Sequence, residues 1–271
     1  MARRKAGKFE DIIDLLVFLR SPEGCPWDRS KGAKDLKPYL LEECHELMEA
    51  IDSGEMQALV DELGDLLLHC AFLTAIGQEA GIFTSRDVFE RLEAKIRRRH
   101  PHLFPDGESK ASPEGWESIK QKERQRLGRT GISEGIPATL PPLLKAFRIQ
   151  ERAAAWKFDW SSPDGALLKV AEELGEVERA YRSGDRPETE QEIGDLLFAV
   201  VNLSRLLDIH PEDALSKTIR KFARRFDRLA VRAAECGLVL GEASLEELDR
   251  IWEAIKKEED LGEEKDTRGM K

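Results

Sequence analysis

Apolar residues recur along this chain at i, i+3, i+4 and i+7 rather than at every second position. That spacing predicts helices over 9–20, 34–52, 56–78, 85–99 and 113–126, then over 141–155, 163–181, 187–207, 211–235 and 244–258. Start signals agree: Ser85 precedes Asp87, and Ser112-Pro113, Ser162-Pro163 and His210-Pro211 each put proline at a first helical position. Gly54, Gly184 and Gly237 stand where helices should stop. β-branched clusters and period-two alternation are scarce, so the expected fold class is all-α.

The pattern also repeats. Leu40-Leu41-Glu42-Glu43-Cys44-His45-Glu46 matches Val170-Ala171-Glu172-Glu173-Leu174-Gly175-Glu176 at an offset of 130 residues. Asp61-Glu62-Leu63-Gly64-Asp65-Leu66-Leu67 matches Gln191-Glu192-Ile193-Gly194-Asp195-Leu196-Leu197 at the same offset. Lys95-Ile96-Arg97-Arg98-Arg99 returns as Lys221-Phe222-Ala223-Arg224-Arg225, and Trp116-Glu117-Ser118-Ile119-Lys120 as Trp252-Glu253-Ala254-Ile255-Lys256. Such a period indicates a duplicated domain rather than a solenoid. The expected organisation is a first domain over 1–127, a Gly- and Pro-rich linker over 128–142, a second domain over 143–258 and a charged, frayed tail over 259–271.

Composition narrows the class. The 43 Lys and Arg against 53 Asp and Glu leave a net charge of −10, which argues against a dedicated nucleic-acid binder but not against a nucleotide ligand. The longest uncharged apolar run, Leu66 to Ile76, is too short to span a bilayer, and Glu10, Asp11 and Asp14 interrupt any signal-peptide core. No membrane association is expected. Cys25, Cys44, Cys70 and Cys236 form no CxxC pair and read as reduced, mostly buried thiols of a cytoplasmic protein.

Acidic helix segments are ordinarily solvated faces. Here the helical phase says otherwise. Leu40, Glu43 and Leu47 share one stripe, as do Val170, Glu173 and Val177. Glu62 shares a stripe with Leu59, Leu66 and Leu73, and Asp65 lies with Ala58, Leu68 and Phe72. Each half should therefore gather four carboxylates: Glu43, Glu46, Glu62 and Asp65, then Glu173, Glu176, Glu192 and Asp195. Such a cluster needs protons, basic partners or metal ions, and an all-oxygen donor set favours Mg²⁺, with Mn²⁺ the second choice. Gly64 and Gly194, inside helices, would mark close helix approach. A di-iron reading of Glu42-x-x-His45 fails on repetition, because Gly175 stands at the matching place and His69 is matched by Ala199.

The basic blocks admit two readings: cations meeting helix dipoles, or a phosphate site beside the metal. Lys95 and Arg99 share a face, as do Lys221 and Arg225. Trp116 with Lys120 and Trp252 with Lys256 either stack on a base or anchor the last helix. Trp27, Trp156 and Trp160 are read as packing, and His100-Pro101-His102 as a loop.

These residues resemble the MazG-type nucleoside triphosphate pyrophosphohydrolases. The resemblance spans nearly the whole chain and includes Cys25-Pro26-Trp27-Asp28, Arg98-Arg99-His100-Pro101-His102, Phe158-Asp159-Trp160 and Glu192-Ile193-Gly194-Asp195-Leu196-Leu197-Phe198. It implies two tandem four-helix-bundle-like domains, a homodimer and Mg²⁺-dependent conversion of a nucleoside triphosphate to its monophosphate and pyrophosphate. By that resemblance Glu173, Glu176, Glu192 and Asp195 hold metal, while Lys169, Lys221, Arg225, Trp252 and Lys256 contact nucleotide. In the first half Glu43, Glu46, Glu62 and Asp65 match the metal pattern, with Lys95, Arg99, Trp116 and Lys120 beside them. Glu172 is a general base or supports the ligand Glu173; Lys221 and Arg225 stabilise the leaving pyrophosphate. Lys37 or Pro38 stands near the place of Lys169 in the first half, so the second half is expected to carry most turnover. The alternative is a helical protein that senses nucleotides or binds partners with little turnover.

Overall fold

The computed structural model describes residues 7–100, 103, 104, 128 and 131–269, with side chains as far as Glu259. Every regular element among them is helical: α1 Phe9–Arg20, α2 Pro26–Ser30, α3 Lys37–Ser53, α4 Met56–Glu79, α5 Ser85–Arg99, α6 Pro142–Ala155, α7 Pro163–Ser183, α8 Arg186–Leu206, α9 Pro211–Glu235 and α10 Leu245–Gly269. The helix expected over 113–126 lies outside the described residues. The chain divides into two units, Met1–Pro113 and Glu114–Lys271. None of the described helices is long and apolar enough to cross a membrane.

In the first unit α3 and α4 form an antiparallel hairpin, and α1 lies on α4. Ile13 and Leu16 of α1 meet Leu36, Ala71, Phe72 and Ala75 in a buried core. Arg20 ends α1 inside this packing. Its Nε and Nη2 bind Glu79 at 2.7 and 2.9 Å, and its Nη1 donates to the carbonyls of Asp28 and Lys31 at 2.6 and 2.8 Å. The guanidinium also lies 5.0 Å from the Phe72 ring centre. One arginine thus ties α1, α2 and the end of α4 together.

In the second unit α7 and α8 form the equivalent hairpin, α6 lies on α8, and α9 packs chiefly on α10 and on α6. Gln150 of α6 is buried and donates to the Phe198 carbonyl of α8 at 2.8 Å.

The duplication extends to individual hydrogen bonds. Both hairpins turn on a glycine in the left-handed region, Gly54 at φ 71° and Gly184 at φ 76°, where a side chain would be strained. Before each, a serine hydroxyl donates to a buried alanine carbonyl: Ser53 to Ala50 at 2.9 Å and Ser183 to Ala180 at 2.8 Å. The amides of Glu55 and Asp185 then donate back to those hydroxyls.

Four expectations need correction. The thiols are not mostly buried: Cys44, Cys70 and Cys236 are exposed and Cys25 is half-buried, because each of the hairpin pair falls one position past the inward-facing Glu43 or His69. Gly64 and Gly194 do not mark close approach within the chain, since a Cβ added at either meets nothing within 4 Å. The last helix does not stop at residue 258, because α10 continues to Gly269, and Glu258 and Glu259 pair with arginines of α9. Trp27, Trp156 and Trp160 are about half-exposed rather than buried in the packing. Lys31 lies 4.8 Å over the Trp27 ring, and Trp160 covers Gly165 so closely that a Cβ there would come within 2.6 Å of the indole.

Candidate active site in two carboxylate clusters

The glycine turns set the register in which each hairpin's acidic residues meet. In the second unit, carboxylate oxygens of Glu173, Glu176 and Glu192 lie within 4.8 Å of one another; in the first, those of Glu43, Glu62 and Asp65 do so. Glu173 is 6% exposed, as its place in the apolar stripe of α7 requires. One member of each set shows its electrostatic coupling to the other three. Desolvation, followed by the charges of Glu43, Glu62, Glu42 and Asp65, pushes the Glu46 carboxyl above its ordinary pKa. Desolvation, followed by Glu176, Asp195 and Glu173, does the same to Glu192.

The two clusters differ in their cationic partner. Lys169, one turn before Glu173, places its ammonium 2.7 Å from Glu173 and 2.8 Å from Glu172. The Glu172 hydrogen bond, then that to Glu173, drives the Lys169 pKa well above the lysine range, so this charge is permanent. In the first unit the residue 130 positions earlier is Tyr39, and Glu43 is met instead by His69 of the facing helix, 3.5 Å away. Tyr39 stacks on that imidazole at 6.1 Å with 9° between the planes. Sequence reading missed this contact because His69 has no repeat counterpart; the signal was its spacing, i+7 from Glu62 on one stripe. Glu42 and His45 of the di-iron alternative are exposed.

The oxygens suit a divalent cation. Glu62 Oε2 is buried and has no hydrogen-bond donor among the described residues. An acceptor-only carboxylate left so is costly unless a cation or proton meets it.

The basic residues lie on other helices. Lys221 is exposed on α9, in an open cleft of about 320 Å³ formed with Lys217, Thr218, Arg220 and Arg224. Arg225 is bound by Glu259 of α10 through its Nε at 2.5 Å. Trp252 of α10 packs on Phe222 of α9 with ring centres 5.2 Å apart, and Lys256 pairs with Glu253 at 2.7 Å. Lys95 is exposed on α5, which carries Arg99 at its end and does not pack extensively on the α3–α4 hairpin. Trp116 and Lys120 lie outside the described residues.

Comparison with known proteins decides the family. The chain matches the MazG nucleotide pyrophosphohydrolase domain over residues 31–104 and again over 161–229. It belongs to the MazG family. Both matched segments contain a complete carboxylate hairpin, so the MazG signature and the observed clusters coincide. The chain is 46% identical to the nucleoside triphosphate pyrophosphohydrolase/pyrophosphatase MazG of Thermotoga maritima over 248 residues, covering 92% of this chain and 95% of that one. It is 38% identical to the nucleoside triphosphate pyrophosphohydrolase of Escherichia coli K12 over 258 residues, covering 93% of this chain and 98% of that one.

Proposed function

We propose that this MazG protein hydrolyses nucleoside triphosphates between the α- and β-phosphates, releasing the monophosphate and pyrophosphate. The observation that carries this reading is the Glu173, Glu176 and Glu192 cluster with Lys169 fixed on its edge. Glu173, Glu176, Glu192 and Asp195 would hold Mg²⁺ or Mn²⁺, as would Glu43, Glu46, Glu62 and Asp65. When bound, such an ion lowers the pKa of a coordinated water and neutralises phosphate oxygens.

The chain's own groups supply the rest. Lys169 offers a permanent charge to the triphosphate and is held in place by its ion pair with Glu173. Glu172, tethered by the same ammonium and exposed, is the candidate base that takes the proton of the attacking water. Lys221 and Arg225 stabilise the charge on the leaving pyrophosphate, with Trp252 and Lys256 beside the nucleoside. In the first unit His69 and Tyr39 replace the lysine, which favours nucleotide binding with weaker turnover there.

The same reading includes a cytoplasmic homodimer. Leu41, Met56, Leu168 and Tyr181 of the hairpins are more than 60% exposed, and the space at Gly64 and Gly194 is open. A second copy laid on these faces would complete a four-helix bundle. Sedimentation showing only a 30.7 kDa species at micromolar concentration would overturn the dimer.

The deciding experiment incubates the full chain with a panel of ribo- and deoxynucleoside triphosphates, with Mg²⁺ and with EDTA. Monophosphate and pyrophosphate in equal amounts, only with Mg²⁺, are expected. Release of inorganic phosphate alone, or no product, would refute the assignment.

A further inference from the structure

Helix α9 carries a stripe of arginines, Arg225, Arg228 and Arg232, that meets Glu258 and Glu259 of α10. Arg225 Nε donates to Glu259 Oε2 at 2.5 Å, and Arg228 Nη1 to Glu259 Oε1 at 2.9 Å. Glu259 therefore has each oxygen held by a different guanidinium. Arg228 Nη2 and both terminal nitrogens of Arg232 bind Glu258 at 2.7–2.9 Å. The inner pair is the more enclosed: the Arg225 and Glu259 side chains are 15% and 17% exposed, against 38% and 47% for Arg228 and Glu258.

We infer that Glu259 is a positioning residue for the substrate: it holds Arg225 by the Nε and leaves the terminal nitrogens for the triphosphate. The inference rests on the proposed role of Arg225 as a phosphate contact. Arginine reads a phosphate with two parallel N–H groups in one plane, so fixing that plane in advance removes a torsional cost from binding. Among the described residues the Nη1 and Nη2 atoms of Arg225 have no hydrogen-bond partner, whereas its Nε is taken.

The duplication supplies an independent observation. At the offset relating Lys221–Arg225 to Lys95–Arg99, Arg225 falls on Arg99. At the offset relating Trp252 to Trp116, Glu259 falls on Glu123. At the same two offsets Arg228 falls on His102 and Glu258 on Lys122. The residue types of the pair that includes Arg225 recur in the sequence of the other half, and those of the adjacent pair do not.

The test is a kinetic comparison on the full chain at saturating Mg²⁺, with circular dichroism and melting curves alongside. Glu259→Ala is expected to raise KM for a nucleoside triphosphate about tenfold with a smaller effect on kcat, as one misaligned charge-assisted contact would. Glu259→Gln keeps an acceptor for the Nε and should restore an intermediate KM. Glu258→Ala removes ion pairs from the same helix pair without touching Arg225, and its KM should equal that of the parent. The double variant Arg225→Ala/Glu259→Ala should bind no more weakly than Arg225→Ala alone. Equal effects of Glu258→Ala and Glu259→Ala, or additivity in the double variant, would reduce Glu259 to a structural clamp. An unchanged KM in Arg225→Ala would instead remove the phosphate role of Arg225, and the inference with it.

Discussion

His69 and Lys169 meet equivalent glutamates from opposite helices. The imidazole of His69 reaches Glu43 from α4, while the ammonium of Lys169 reaches the equivalent Glu173 from α7 itself, where His69 is matched by Ala199. Two exchanges, Tyr39 for Lys169 and His69 for Ala199, compensate each other in position but not in charge. A lysine in this setting is always cationic, whereas an imidazole is cationic only when protonated. The two hairpins thus present different fixed fields to an incoming polyphosphate.

Removing one ligand from each cluster should separate the sites. Glu173→Ala or Asp195→Ala is expected to abolish most turnover, and Glu43→Ala or Asp65→Ala to remove far less. Helix content should be unchanged in all four. Retained Mg²⁺-dependent hydrolysis in every variant would mean that the clusters are not the active sites.

Lys169→Ala should lower kcat/KM by roughly 5- to 150-fold, corresponding to about 1–3 kcal/mol for a charge-assisted hydrogen bond. It should also lower the melting temperature of the metal-free protein, because the buried Glu173 loses its counter-charge. A variant that melts lower but turns over normally would confine Lys169 to a structural role.

Stabilisation by Mg²⁺ should depend on pH with a defined sign. Glu46 and Glu192 have raised pKa values, so the folded state holds their protons to higher pH than the unfolded chain does. Their contribution favours the metal-free fold more as pH falls through those raised values and is lost as pH rises above them. Cation binding needs the ionised forms. The Mg²⁺-induced rise in melting temperature should therefore be largest near neutral pH and shrink toward about pH 5. A shift that is constant over that range would contradict the coupling.

Arg20→Ala should destabilise the first unit by about 3 kcal/mol, since it strands Glu79 and two carbonyls beneath α1. Denaturant titration would show an earlier transition, with hydrolysis by the second unit retained. A loss below about 1 kcal/mol would show that water replaces the guanidinium at little cost.

Much of this molecule could be read before its structure. The helices announced themselves through their period, and Glu173 through its phase within an apolar stripe. What escaped notice was contact between segments distant in sequence. Helix α2 has five residues, too few for any periodicity to show. Glu259 resembled its many charged neighbours, because composition does not reveal an ion pair spanning 34 residues. The in-helix glycines misled for a related reason: an absent side chain signals proximity only if something stands opposite, and at Gly64 and Gly194 nothing in this chain does.

The turns at Gly54 and Gly184 bear on how the acidic groups come together in time. Glu43 and Asp65 are 22 positions apart, as are Glu173 and Asp195, and one short reversal closes each loop. Closure over so few residues is fast and entropically mild. Each acidic centre is thus a local product of its own hairpin, able to form before α1 or the α9–α10 pair has docked. During synthesis the first hairpin is complete at Glu79, with most of the 271 residues still to be added. The nascent chain then already contains the whole acidic set of its first hairpin, Glu43, Glu46, Glu62 and Asp65.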